Sequence, residues 1–158
     1  MMTGRYPHRT GSIDTLEWRG LERLALRETT LADVLGNAGY STDLIGKWHQ
    51  GAFDMRYHPL NRGFDETVCF RGGTHDYHDW RLEFNKTVVK ADGRYLTDVW
   101  TEEAVQFIQR HRTAPFFFHV TYNAPHTPLQ ALDEDVQPFL ETWFDDAEQE
   151  RASIKDEW

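Results

Sequence analysis

One cysteine in 158 residues, Cys69, removes two classes of protein at once. A disulfide framework needs thiols in pairs, and an all-cysteine zinc site needs several at set spacings. Long apolar runs are missing too. At a mean hydropathy of -0.69 no stretch approaches the roughly 18 uninterrupted apolar residues of a membrane helix, so no membrane partner is expected. The start shows no basic segment followed by an apolar run, the mark of a secretory leader. A clustered basic face is also lacking: residues 133–158 hold ten acids against Arg151 and Lys155, and the remaining 132 residues carry 15 bases against 16 acids. Backbone binding needs concentrated positive charge, so nucleic acid is excluded as the main partner.

What remains is an ordinary globular composition, 39% hydrophobic and 27% charged, in a chain long enough for one domain with its own core. No internal repeat interrupts it. After a turn-rich start, Thr29 or Thr30 offers an N-cap, and Leu31, Val34, Leu35 and Ala38 recur at helical spacing until Gly39. The spacing predicts a short amphipathic helix that buries this face. Tyr40 to Ile45 then reads as a strand, with Lys47 and His49 just past its carboxyl end in a glycine-bounded loop. A second strand is expected at Thr67 to Phe70, and a hairpin through Leu82 to Lys90 with its turn near Asn85-Lys86.

Trp100, Ala104, Phe107, Ile108 and His111 fall on one helical face, with Thr97 or Thr101 as candidate caps. Phe116 to Tyr122 is a nearly continuous apolar run, suited to a strand covered on both faces. Helices alternating with strands predict an α/β fold, a mainly parallel central sheet flanked by helices on both faces. Ligands in such sheets bind beyond the carboxyl ends of the strands, so Lys47, His49 and His126 should share one sheet edge. A lysine and two imidazoles there could hold an oxyanion and move protons near neutral pH.

Four segments then carry a resemblance. Thr3-Gly4-Arg5-Tyr6-Pro7-His8-Arg9-Thr10-Gly11 is similar to the tail of the signature C/S-x-P-S-R-x-x-x-L-T-G-R, with Met2 at its leucine. Gly39-Tyr40-Ser41-Thr42 with Gly46-Lys47-Trp48-His49-Gln50-Gly51 matches G-Y-x-T…G-K-W-H-x-G, Arg62-Gly63-Phe64-Asp65 matches R/H-G-F-D, and Ala124-Pro125-His126-Thr127-Pro128 matches A/S-P-H-x-P. Together, and in this order, they resemble the sulfatase family of the alkaline-phosphatase-like superfamily.

The resemblance implies hydrolysis of a sulfate ester, in a small molecule or a sulfated glycan, by a formylglycine hydrate with calcium as cofactor. Lys47 would hold the sulfate, His49 would pair with the nucleophile, and His126 would help protonate the leaving oxygen. Arg5 would position the nucleophile-bearing turn. The signature's first seven positions fall upstream of Met1, and the calcium aspartates and a later Asp-Asn or Asp-His pair are not found. The expectation is an internal piece of a catalytic domain, residues 1–132, followed by an acidic tail, 133–158, expected to be helical. Its partners would include the missing parts of its own domain, and alone it should not turn over substrate.

Two rival readings stand beside this one, a phosphonate monoester or phosphodiester hydrolase of the same superfamily and a truncated non-catalytic remnant. Cys69 lacks the x-P-S-R context of a nucleophile. The run Thr74-His75-Asp76-Tyr77-His78-Asp79-Trp80 fits no secure zinc spacing and reads as a surface or substrate-facing loop. Asn85-Lys86-Thr87 matches a glycosylation sequon of a kind common by chance.

Overall fold

A computed structural model describes residues 2–12 and 23–140. The chain divides into two compact units, Met1–Pro128 and Leu129–Trp158. In the first unit a four-residue turn of helix, α1 (Pro7–Thr10), precedes α2 (Leu31–Asn37), β1 (Ser41–Lys47), β2 (Glu66–Phe70), the hairpin β3 (Arg81–Phe84) and β4 (Thr87–Lys90), α3 (Leu96–His111) and β5 (Phe116–Thr121). Sheet order is β4-β3-β2-β1-β5. Central β1 runs parallel to both β2 and β5, and the hairpin extends the sheet antiparallel to β2.

Alternation along the strands builds two cores. Ile45, Val68 and Phe70 face α3 and pack with Leu96, Val99, Trp100, Ala104 and Phe107. Their neighbours Leu44 and Cys69 point to the other face and pack with Ala32 of α2, Trp48 and Phe64. Helices therefore cover both faces of a mixed sheet whose centre, β2-β1-β5, is parallel, as the alternation of elements predicts, while the β3–β4 hairpin makes its edge antiparallel.

Local details differ from the sequence reading where packing overrides periodicity. Thr30 does cap α2: its hydroxyl accepts from the Asp33 N–H at 3.0 Å while the Asp33 carboxylate accepts from the Thr30 N–H at 2.7 Å, a capping box. The buried residue, however, is Ala32, while Leu31 and Val34 are 42% and 54% exposed. The start of α2 presses on the loop before β2, where a Cβ at Gly63 would fall on the Asp33 backbone nitrogen, and the residue buried at that approach is alanine. The bulky residues are left on its flank.

The capping expectation for α3 also fails. Its N-cap is Tyr95, without a side-chain bond, and Thr101 instead donates to the Thr97 carbonyl at 3.0 Å. The first turn is anchored from outside, by the Leu96 N–H donating to the Tyr77 carbonyl at 2.8 Å. Ile108, expected on the inner face, is 42% exposed. All six residues of β5 are half-buried, not fully covered, because β5 pairs on one side only among the described residues. Lys47 is the last residue of β1, where the sequence places it just beyond.

In the second unit residues 133–140 are helical, and the Asp135 and Val136 N–H groups both donate to the Leu132 carbonyl. The rest of the acidic tail, 141–158, lies outside the described residues, as do residues 13–22.

Candidate active site

The carboxyl ends of β1 and β5 are clamped together. Gly46 pairs with Thr121, and a Cβ at Gly46, whose φ is +116°, would fall on the Thr121 carbonyl. The Thr121 hydroxyl donates to the Lys47 carbonyl at 2.6 Å. Only glycine permits this approach, and the approach fixes the point from which Lys47 leaves the sheet. Next in the chain, Trp48 is buried against Phe64 and donates its indole N–H to the Tyr57 carbonyl at 2.7 Å. His49 follows in the left-handed region, φ 47°, which costs a non-glycine residue energy and persists only where the surroundings enforce it.

A cavity of about 280 Å³ opens at this edge, lined by Lys47, Arg5, Thr3, Gln50, His119 and Thr121 with their neighbours, and by no carboxylate among the described residues. Arg5 is fixed by two bonds to the Glu28 carboxylate, 3.0 and 2.8 Å, and Glu28 is only 4% exposed. Burial holds the His119 imidazole below its ordinary pKa, so it is neutral at neutral pH.

Of the residues singled out from sequence, Lys47 and Arg5 share this cavity. His49 follows β1 and His126 follows β5, so both belong to the same carboxyl edge, but neither lines the cavity. The ring Nδ1 of His126 lies 2.9 Å from the Thr127 carbonyl. The Thr127 hydroxyl lies farther from the same nitrogen, 3.3 Å, and because a carbonyl only accepts, the shorter contact assigns the hydrogen to Nδ1 and leaves Nε2 as the acceptor nitrogen of the neutral ring. His119, Gln50 and Thr121 escaped sequence reasoning. Strand alternation was the available signal, since His119 and Thr121 share one face of β5 two residues apart.

The Arg62-Gly63-Phe64-Asp65 segment is scaffolding for this edge. Buried Arg62 donates to the carbonyls of Ala25, Leu26 and Glu28, which braces the partner of Arg5. Asp65 accepts from the Thr42 N–H at 2.9 Å and the Thr42 hydroxyl at 3.0 Å, tying the loop to the start of β1.

The histidine- and aspartate-rich loop is occupied with its own turn. Asp76 accepts from the N–H groups of His78 and Asp79, and the His75 ring accepts from the Arg81 N–H and stacks on Phe70. Among the described residues no group of three or more His, Cys, Asp or Glu side chains could hold a metal ion. The described residues by themselves do not make up a calcium site. Asn85 is likewise engaged, accepting from the Thr67 N–H at 2.9 Å in the β3–β4 turn.

This architecture has clear relatives. The family described as Sulfatase matches residues 1–155, and the chain belongs to that family. It is 33% identical over 153 residues to the uncharacterized sulfatase YdeN of Escherichia coli, covering 81% of this chain and 27% of the relative. It is 32% identical to an arylsulfatase of Hemicentrotus pulcherrimus, covering 85% and 29%, and 31% identical to the N-acetylgalactosamine-6-sulfatase of Canis lupus familiaris, covering 90% and 31%. The chain thus spans less than a third of the length of these relatives. The crystal structure of Ps i-CgsB in complex with k-i-k-neocarrahexaose superposes at a TM-score of 0.80 and 37% identity, over 87% of this chain and 36% of that one. BT4656, solved with its substrate D-glucosamine-2-N,6-O-disulfate, gives 0.72 and 25% identity over 89% and 26%. The family is metal-dependent in general.

Proposed function

We propose that this chain is part of the catalytic domain of a sulfuric ester hydrolase acting on a sulfated carbohydrate, with residues 1–132 forming one side of the sulfate site and residues 133–158 an acidic appendage. The observation that carries the reading is the cavity at the end of β1, where Lys47 and Arg5 stand with neutral donors and without a carboxylate among the described residues. A tetrahedral oxyanion calls for that set: a cation, oriented donors and no like charge. The sugar half of the substrate is supported by relatives named for N-acetylgalactosamine-6-sulfate and bound to a disulfated glucosamine.

In this reading Lys47 holds a sulfate oxygen and stabilises the charge that grows on it. His49 hydrogen-bonds the nucleophile, and Arg5, braced by Glu28, positions the turn at residues 3–7. His126 keeps Nδ1–H on the Thr127 carbonyl, takes up a second proton at Nε2 from solvent, and as the imidazolium passes that Nε2 proton to the leaving alcohol oxygen, returning to the neutral Nδ1–H form. A positioned imidazole contributes roughly 10²- to 10⁴-fold in such a step. Formylglycine is the nucleophile that the resemblance implies, and Cys69 does not take its part: the thiol is buried and its pKa is pushed up to about 12. Calcium is the implied metal, and no step assigned to these residues runs through it.

The test is a calorimetric titration of inorganic sulfate into the chain. Wild type binds, and Lys47→Ala weakens binding roughly tenfold or more, the scale of a charge-assisted contact. No sulfate-dependent heat from folded wild-type protein rejects the reading. Methylphosphonate binding tighter than sulfate turns it to the phosphonate hydrolase alternative.

A further inference from the structure

His126 is held by more than its own loop. Tyr77, from the histidine- and aspartate-rich loop, is 1% exposed and donates its hydroxyl to the His126 carbonyl at 2.9 Å, across 49 residues of sequence. The donor is rigid. Its ring stacks on Tyr95 with centroids 5.7 Å apart, and its own carbonyl receives the Leu96 N–H that opens α3. A buried phenol so packed has little freedom to follow a moving acceptor.

The acceptor is gripped from the other side as well. The His126 N–H donates to the Asn123 carbonyl at 2.8 Å, and the Asn123 side-chain oxygen receives the buried Trp100 indole N–H at 3.0 Å. Both backbone groups of His126 are therefore fixed by contacts that lead back to α3. Ring orientation depends on that backbone: the Nδ1 acceptor is the carbonyl of the next residue, Thr127, and its place relative to the ring is set by the torsions on either side of the 126–127 peptide, whose carbonyl Tyr77 holds.

We infer that Tyr77 is a positioning residue for His126, its hydroxyl holding the peptide orientation that keeps Nδ1 protonated and presents Nε2 to the sheet edge. Tyr77 acts through His126 and does not touch substrate. The catalytic consequence rests on the sulfatase reading, under which Nε2 exchanges the proton of the leaving oxygen. The positional consequence does not. The 71–80 loop and the His126 loop then behave as one unit, so changes in the first are felt by the second.

The experiment records long-range proton–nitrogen spectra of the histidine rings in the 158-residue chain, with inorganic sulfate as the added probe. In wild type, His126 gives the pattern of a single Nδ1–H tautomer. Tyr77→Phe keeps the buried ring and removes only the hydroxyl. The two His126 nitrogen shifts then approach each other as tautomers mix, the His58 and His119 signals stay in place, and sulfate affinity falls roughly threefold or more. A merely structural role would not single out one ring. Unchanged His126 nitrogen shifts in folded Tyr77→Phe overturn the inference. If that variant does not fold, the wild-type hydroxyl proton decides: protection of Tyr77 from water exchange relative to Tyr6, which is 76% exposed, supports the inference, and equal exchange overturns it. A wild type that fails to bind sulfate while the tautomer shift is present sinks the sulfatase reading and leaves the positioning role supported.

Discussion

Gly46 and Thr121 approach so closely across β1 and β5 that the space a Cβ would take at Gly46 is filled by the Thr121 carbonyl. This one contact sets the spacing of the two strand ends from which Lys47 and the His126 loop depart. Gly46→Ala must move β5 or twist β1, and it also places alanine at φ +116°. Overpacking and an unfavourable backbone region together should lower stability by roughly 3 kcal/mol. Urea denaturation of the two proteins measures it, and a loss below about 1 kcal/mol would mean that the clamp relaxes freely.

Asp43 is the buried carboxyl group of β1, 1% exposed, with Oδ1 lacking a hydrogen-bond partner among the described residues. Burial first, then the nearby Glu66 carboxylate, raise its pKa from 3.8 to about 7, against smaller opposing effects of the Leu44 N–H and Arg110. The unfolded chain ionises this group at lower pH than the folded one, so the folded state holds the extra proton between pH 3.8 and about 7. Stability contributed by the neutral acid is full below that window, declines across it by up to about 1.4 kcal/mol per pH unit, and is gone above it. Asp43→Asn cannot ionise, so denaturation midpoints of wild type should fall relative to the variant from pH 4.5 to pH 8. Parallel pH profiles would show that Asp43 stays charged.

Cys69 should be silent toward thiol reagents. It is fully buried between β2 and α2, and burial pushes its thiol up to about 12. An aromatic disulfide reagent should label it at pH 8 only as fast as the chain unfolds, because the thiolate is both scarce and covered. Rapid stoichiometric labelling of native protein would place the side chain at the surface.

Several features were legible before any coordinates. The α2 cap at Thr30, the β3–β4 hairpin about Asn85-Lys86 and the apolar run of β5 each carry a local signal, since capping, turn chemistry and alternation act within a few residues. The buried face of α2 was misread for the opposite reason. Helical periodicity counts apolar residues, whereas the start of α2 is pressed backbone to backbone against Gly63, a contact between Asp33 and a residue 30 positions away. The α3 cap was misread likewise, its first N–H being satisfied by Tyr77 and not by a neighbouring threonine.

The sequence by itself determined the alternation of elements, the family and the order of its four motifs, because each is written in residues adjacent in the chain. Tertiary structure alone decided which groups meet. Strand order placed β5 beside β1 and so put Thr121 against Gly46, packing of the 2–12 segment brought Arg5 into the Lys47 cavity, and a buried tyrosine reached the His126 carbonyl. These are contacts between residues 42 to 75 positions apart in the first two cases and 49 in the third, and they form only when burial of two opposed cores outweighs the entropy of closing the intervening chain.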